Sequence, residues 1–204
     1  HKTDGKNPYV AFPTVIANTI IENSRKPLLT APKTDILTTS KPNIILILWE
    51  SLSAKVVGSL GGELDVTPNL DCLSEEGMLF TNACVTNSIC APSRAVILTG
   101  KHSHLNGKID NYFPFDTTNI TFPQILQKAG YQTAMFGKLH FGNNPKGFDE
   151  FQILPDQGDY YNPDFITKKE GKKKLTGYVT DLITDITLNW LKNERDEEKP
   201  FFLA

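Results

Sequence analysis

The ten residues KPNIILILWE, Lys41 to Glu50, constrain the fold more than any other stretch. A continuous β-prone apolar run opened by a proline suits a central strand buried on both faces of a sheet. It is far shorter than the roughly 20 apolar residues of a membrane span, and no other stretch approaches that length. Such a strand needs helices against it, and the sequence that follows supplies candidates. In TPNLDCLSEEG, Thr67 caps a short helix that begins at Pro68 and stops at Gly77. MLFTNACV, Met78 to Val85, reads as the next strand. TFPQILQKAG is a helix closed by Gly130, and YQTAMFGK is the strand after it. Val179, Leu182, Ile183, Ile186, Trp190 and Leu191 recur at helical spacing, and KPFFLA opens a further strand. Strand alternating with helix is the pattern of an α/β layered domain, a mostly parallel central sheet with helices on both faces.

Residues 1–40 lack this pattern and read as an arm and linker, with one short helix in TVIANTIIEN. The α/β domain is therefore placed at 41–204, a length that buries one sizeable core. Ending on a strand marks it as the N-terminal portion of a longer fold, so that 204 residues alone are expected to turn over weakly or not at all. A formal net charge of −2 gives no basic field for nucleic acid. The first residues show no charged head followed by an apolar segment, so no signal peptide is visible. Cys72, Cys84 and Cys90 are odd in number and lack C-x-x-C spacing, which argues against a disulfide framework or a zinc site.

In parallel α/β sheets, functional side chains collect beyond the carboxyl ends of strands. Glu50, Cys90, Lys138 and His140 all follow predicted strands. Cys90 stands in SICAPSRAVILTG, ahead of a helix predicted to start at Pro92. There the positive end of the helix dipole favours a thiolate or a bound anion, and Arg94 adds a guanidinium suited to tetrahedral oxyanions. The residues equally allow a small buried thiol beside a helix cap.

The string CAPSRAVILTGK resembles the signature of the type I sulfatases, Cys-x-Pro-Ser-Arg followed by Leu-Thr-Gly. GKLHFG, Gly137 to Gly142, is similar to the same family's Gly-Lys-x-His segment. The resemblance implies an alkaline-phosphatase-like fold and a Cys90 oxidised to formylglycine by a dedicated maturation enzyme. It implies that one hydroxyl of the hydrated aldehyde attacks sulfur, and that a base such as His140 takes the proton of the other as sulfate leaves. Lys138 and Arg94 would stabilise charge. The family also binds a divalent metal, most often Ca2+, with Mg2+ or Mn2+ as alternatives. Glu50 and Cys90 are the candidate ligands here.

Sulfatases usually carry two aspartates where this chain has Glu50 and Ser51. The segment Asn43 to Asn82 is more similar to the lipoteichoic acid synthase and phosphoglycerol transferase branch of the alkaline phosphatase superfamily. In that branch one glutamate holds the metal and threonine is the nucleophile. Three functions follow from these resemblances: a formylglycine sulfatase, a metal-dependent phosphoglycerol or phosphoethanolamine transferase, and an inactive binder of sulfated glycans. The Cys90 signature favours the first. ILPDQGDYYNPDFI and the segment from Gly177 to Leu203 resemble sulfatases acting on the 6-O-sulfate of N-acetylglucosamine in glycosaminoglycans. On that reading Tyr160, Tyr161 and Asn162 line a sugar subsite, and His104 in KHSHLNG is a separate candidate for a substrate contact. The lysine-rich stretch KKEGKKK from Lys168 reads as a solvated loop. The expected setting is periplasmic, secreted or cell-surface.

Overall fold

The computed structural model describes residues 41–204, so the predicted arm and its short helix lie outside the described residues. Two compact units are present, one built from Leu46–Ser88 and the other from Pro42–Ile45 with Ile89–Ala204.

The smaller unit contains two short 3-10 turns, Ala54–Val56 and Gly58–Leu60, and helix α1, Pro68–Glu76. Thr67 and Gly77 bound α1 as expected, yet the Thr67 hydroxyl does not cap it. Thr67 Oγ1 accepts from Gly58 N at 2.9 Å and donates to Asp71 Oδ2 at 3.1 Å, while Ser59 N donates to Asp71 Oδ1 at 2.6 Å. The helix start is thus tied to the turn before it. A Cβ on Gly58 would lie 2.5 Å from Asp71 Oδ2, so a side chain there would push the Asp71 carboxylate out of its place. The predicted strand Met78–Val85 does not form, and Phe80 is exposed. A short apolar run does not by itself distinguish strand from loop.

The larger unit is a six-stranded mixed sheet flanked by helices. Its strands are β1 (Ile44–Ile45), β2 (Gln132–Lys138), β3 (Glu150–Leu154), β4 (Asp164–Thr167), β5 (Gly171–Lys174) and β6 (Phe201–Leu203). The order is β1-β6-β2-β3-β4-β5, parallel from β1 to β3 and antiparallel from β3 to β5. The helices are α2 (Cys90–Thr99), α3 (Ser103–Asn106), α4 (Phe122–Lys128) and α5 (Val179–Asn189), the last extended by a π turn over Trp190–Glu194.

Two expectations change here. KPNIILILWE contributes only Ile44 and Ile45, which pair with Phe202 and Leu203. KKEGKKK is no loop: it forms the turn and exposed edge strand of the β4–β5 hairpin. Lysines on an edge strand oppose further pairing, and Lys172 also bridges to Asp164 at 2.9 Å.

Alternation along the strands sorts the core. Ala134, Phe136, Phe201 and Leu203 pack on one face with Trp190, Ile183, Ile186 and Leu191. Phe202 points to the other face, its ring 4.9 Å from that of Phe122 in α4 and 6.0 Å from Phe148. Asp149 joins α4 to the sheet, accepting from Gln127 Nε2 at 2.6 Å and from Thr133 N at 2.9 Å. This frame places the ends of β2 and β3 side by side, with Lys138 paired to Leu154.

Candidate active site

Helix α2 begins at Cys90 itself, two residues earlier than the sequence predicts. Ile89, in extended backbone, is the N-cap and offers no side-chain cap. Pro92 falls in the first turn, where a missing N–H costs no intrahelical bond. The amide of Ala91 donates to Asn111 Oδ1 at 3.0 Å, so a distant asparagine does part of the capping. Cys90 is half-buried at the positive end of the helix.

One turn on, Arg94 Nη1 donates to the backbone carbonyl of Lys138 at 2.5 Å. That bond ties the helix carrying Cys90 to the end of β2. Beyond it the chain turns through Leu139, His140 and Phe141, with His140 at φ 63°. Leu139 and Phe141 are both buried, and the Phe141 ring stacks on Phe115 at 4.5 Å. Phe115 N donates to Phe141 O at 2.9 Å. Anchors on either side therefore hold His140 in a left-handed conformation that a non-glycine residue adopts only under constraint.

The loop after β3 completes the cluster. Gln157 Oε1 accepts from Lys138 Nζ, and Gln157 Nε2 lies 3.5 Å from His140 Nδ1. Asp156, also at positive φ (45°), acts electrostatically on His140. From the α3–α4 connection comes Lys108, 1 % exposed, whose ammonium donates to Phe113 O. Burial pushes the Lys108 ammonium below its ordinary range, against the pull of Asp110.

His140, 8 % exposed, is held below its ordinary value by burial and then by Lys138, with Lys108 and Arg94 adding to the effect and Asp156 opposing it. The folded protein therefore disfavours the imidazolium. Between the folded value and the unfolded one near 6.5, the unfolded chain binds more protons, so stability rises with pH there and is flat above it. Acidification below about pH 6.5 is expected to destabilise the wild type more than His140→Asn, which keeps a residue tolerant of positive φ. Urea midpoints across that range, read for both proteins, check this; parallel curves would count against it.

The structure thus brings Arg94, Lys138 and His140 together with Gln157, Asp156 and Lys108. The last three escaped the sequence reading because no local pattern marks them. His104 stands apart: it is exposed on α3, with its ring stacked on His102 at 5.8 Å. Tyr160 and Tyr161 are 74 % and 69 % exposed, and the Tyr161 ring lies 5.3 Å from that of Tyr178, a residue the sequence did not single out. Asn162, at φ 51°, is a loop pin: its N and Oδ1 bond Gly177 O and N at 2.8 Å and 3.0 Å.

Glu50 lies exposed in a turn of the smaller unit, beside Ser51 at φ 56°. Among the described residues no three His, Cys, Asp or Glu side chains gather to hold a metal ion. A hard divalent cation takes about six or more oxygen ligands, so these residues do not make its site alone.

The sulfatase family model matches residues 42–204. The chain belongs to the sulfatase family. That single match runs through both the segment around Glu50 and the Cys90 signature. The sulfatase is 47% identical over 167 residues to the N-acetylglucosamine-6-O-sulfatase of Bacteroides thetaiotaomicron, covering 80% of this chain and 29% of the relative. It is 30% identical to the mouse N-acetylgalactosamine-6-sulfatase, covering 79% and 38%. A solved structure in complex with its substrate D-glucosamine-2-N,6-O-disulfate superposes with a TM-score of 0.76 at 46% identity, over 79% of this chain and 33% of that one. The phosphonate monoester hydrolase of Agrobacterium radiobacter, at 19% identity and a TM-score of 0.59 over 80% of this chain and 40% of its own, shares the fold. The sulfatase spans about a third of the length of these curated relatives. No helix among its described residues is long and apolar enough to cross a membrane.

Proposed function

We propose that this sulfatase hydrolyses a sulfate ester on a glycosaminoglycan-type sugar, 6-O-sulfated N-acetylglucosamine, by means of a formylglycine derived from Cys90. The observation that carries the reading is the bond from Arg94 to the Lys138 carbonyl, which locks the Cys-x-Pro-Ser-Arg helix to the Lys-x-His strand end. Formylglycine, when present and hydrated, supplies a nucleophilic hydroxyl and a second hydroxyl through which sulfate can be released. Arg94 and Lys138 offer fixed cationic donors to the tetrahedral sulfate, as preorganised charge at such a centre requires. His140, whose protonated form burial and Lys138 disfavour, is suited to act as the base that takes the proton of the second hydroxyl as sulfate leaves. The 6-O-sulfated amino sugar is supported by the bacterial relative's name and by the disulfated glucosamine bound in the structural neighbour. Tyr160, with the Tyr161–Tyr178 pair, presents exposed aromatic faces three residues beyond Gln157, suited to stacking on a sugar. The family generally uses a divalent cation. Calcium is the ion we propose, and Glu50 remains the candidate ligand that the sequence offers for it. A periplasmic, secreted or cell-surface location fits a glycan substrate.

Mass spectrometry of the peptide that contains Cys90, after coexpression with a formylglycine-generating enzyme, tests the reading directly. Exchange of the thiol for an aldehyde oxygen is the expected result. An unmodified thiol, under conditions that convert a control sulfatase, would move the transferase and glycan-binding readings ahead.

A further inference from the structure

Helix α2 has no local side-chain cap at the end that carries Cys90. Its N-cap Ile89 offers no acceptor, and Pro92, the third helical residue, has no N–H for a cap to bind. The Ala91 amide is bonded instead by Asn111 Oδ1 at 3.0 Å, across 20 residues. The loop that presents Asn111 is bonded along its length. Lys108, 1 % exposed, reaches across it to donate to Phe113 O. Asp110 Oδ1 accepts from Tyr112 N at 2.9 Å and from Phe113 N at 3.0 Å. At the loop's entry the buried Asn106 accepts from Lys108 N and donates to Lys101 O, both at 2.8 Å. At its exit Phe115 N donates to Phe141 O at 2.9 Å. Loop 106–115 therefore bonds the first turn of α2 at one point and the turn beyond β2 at another.

We propose that Asn111 is a positioning residue for the nucleophile. Its bond to the Ala91 amide fixes the backbone at residue 90, and loop 106–115 holds that backbone in one frame with turn 138–141. This rests on the sulfatase reading, in which residue 90 carries the attacking hydroxyl. The bond from Arg94 to the Lys138 carbonyl, taken alone, leaves α2 free to rock about it. A second bond one turn nearer the N-terminus removes that freedom. The residue type also fits. Asn and Asp cap helices about equally well, but a carboxylate here would stand close to the place of an anionic ester. The amide supplies the acceptor without the charge. A displacement of about 1 Å at a reacting group is enough to cost about 10²-fold in rate, so a bond at the residue next to the nucleophile governs turnover more than affinity.

Two measurements test it. In the chain itself, 13C-carbonyl cysteine combined with 15N-alanine isolates one amide by NMR, because Cys90-Ala91 is the only Cys-Ala pair in the sequence. That amide is expected to exchange with solvent about tenfold or more faster in Asn111→Ala, and at the wild-type rate in Asn111→Asp, which keeps the acceptor. In the protein of the relatives' length, kinetics are taken per converted enzyme, with conversion of Cys90 read by mass. Asn111→Ala is expected to lose about 10- to 100-fold in kcat with KM within about threefold. Asn111→Asp is expected to keep kcat within about threefold and to raise KM, its charge opposing the sulfate. A cap that only stabilised the fold would lower the urea midpoint of Asn111→Ala and leave both constants unchanged, and that result overturns the proposal. A loss of kcat with Ala91 exchange unchanged, or an equal loss in Asn111→Asp, overturns it as well. If Asn111→Ala does not fold, Asn111→Asp decides: a raised KM at a kept kcat supports the proposal, and a loss of kcat overturns it. An unconverted Cys90 beside an Ala91 amide that responds to Asn111→Ala would sink the sulfatase reading and leave the cap standing. A converted Cys90 beside an Ala91 amide indifferent to Asn111 would do the reverse.

Discussion

Cys90→Ala is expected to take sulfate release from 6-O-sulfated N-acetylglucosamine below detection, a loss of about 10⁴-fold or more, as when a covalent nucleophile is deleted. The proper protein for the assay has the length of the relatives, because this chain matches about a third of theirs. Free sulfate is measured against the wild type, both matured with the same formylglycine-generating enzyme. The size of the loss follows from the site's construction. Arg94 and Lys138 can still bind the anion when Cys90 is gone, yet neither supplies a nucleophile that regenerates itself. Substrate affinity is thus expected to survive while turnover does not. Turnover within about tenfold of the wild type would show that Cys90 is not the precursor, and a threonine or serine elsewhere would become the nucleophile to seek.

What could be read in advance depended on how local the signal was. Pro68 and Gly77 bound α1 as predicted because helix entry and exit are decided within a turn. Cys90 and Arg94 lie one turn apart on α2, and Lys138 and His140 close a single strand, so short spacings sufficed for them. Gln157 and Lys108 were out of reach. Gln157 meets Lys138 across 19 residues and has a role only because β2 and β3 run parallel with their ends in register. Asn111 caps α2 from 20 residues away. The β4–β5 hairpin was missed for a different reason. Its edge strand is Gly171 followed by three lysines, with no apolar alternation to betray it; the order comes from the buried Phe165 beside it and the ion pair from Lys172 to Asp164. KPNIILILWE misled in the opposite sense: it is apolar along its length, yet only Ile44 and Ile45 pair as strand, with β6 as partner.

That partner strand is where the fold is most vulnerable. Phe202→Ala is expected to cost about 3–5 kcal/mol, the range for removing a large aromatic side chain from a packed core. Phe202 is fully buried, its ring lies between those of Phe122 and Phe148, and its backbone is paired on both sides, to Ile44 and to Thr133. Neither neighbour can collapse into the gap easily. Phe122 is held by the α4 cap, where Thr121 N donates to Gln124 Oε1 at 2.9 Å, and Phe148 precedes Asp149, which is bonded to both α4 and β2. The loss is therefore expected as a fall in the urea midpoint with an unchanged slope, the sign of lower stability without a looser denatured state. Phe202→Leu, which keeps most of the volume, should lose about 1.5 kcal/mol or less. Phe113→Ala is the control. Its ring is 62 % exposed and only its backbone is used, the N–H by Asp110 Oδ1 and the carbonyl by Lys108, so its stability should change by about 0.5 kcal/mol at most. Equal losses at Phe202 and Phe113 would mean that β6 is not the centre of the core, and the sheet order that sets Lys138 beside the β3 loop would have to be redrawn.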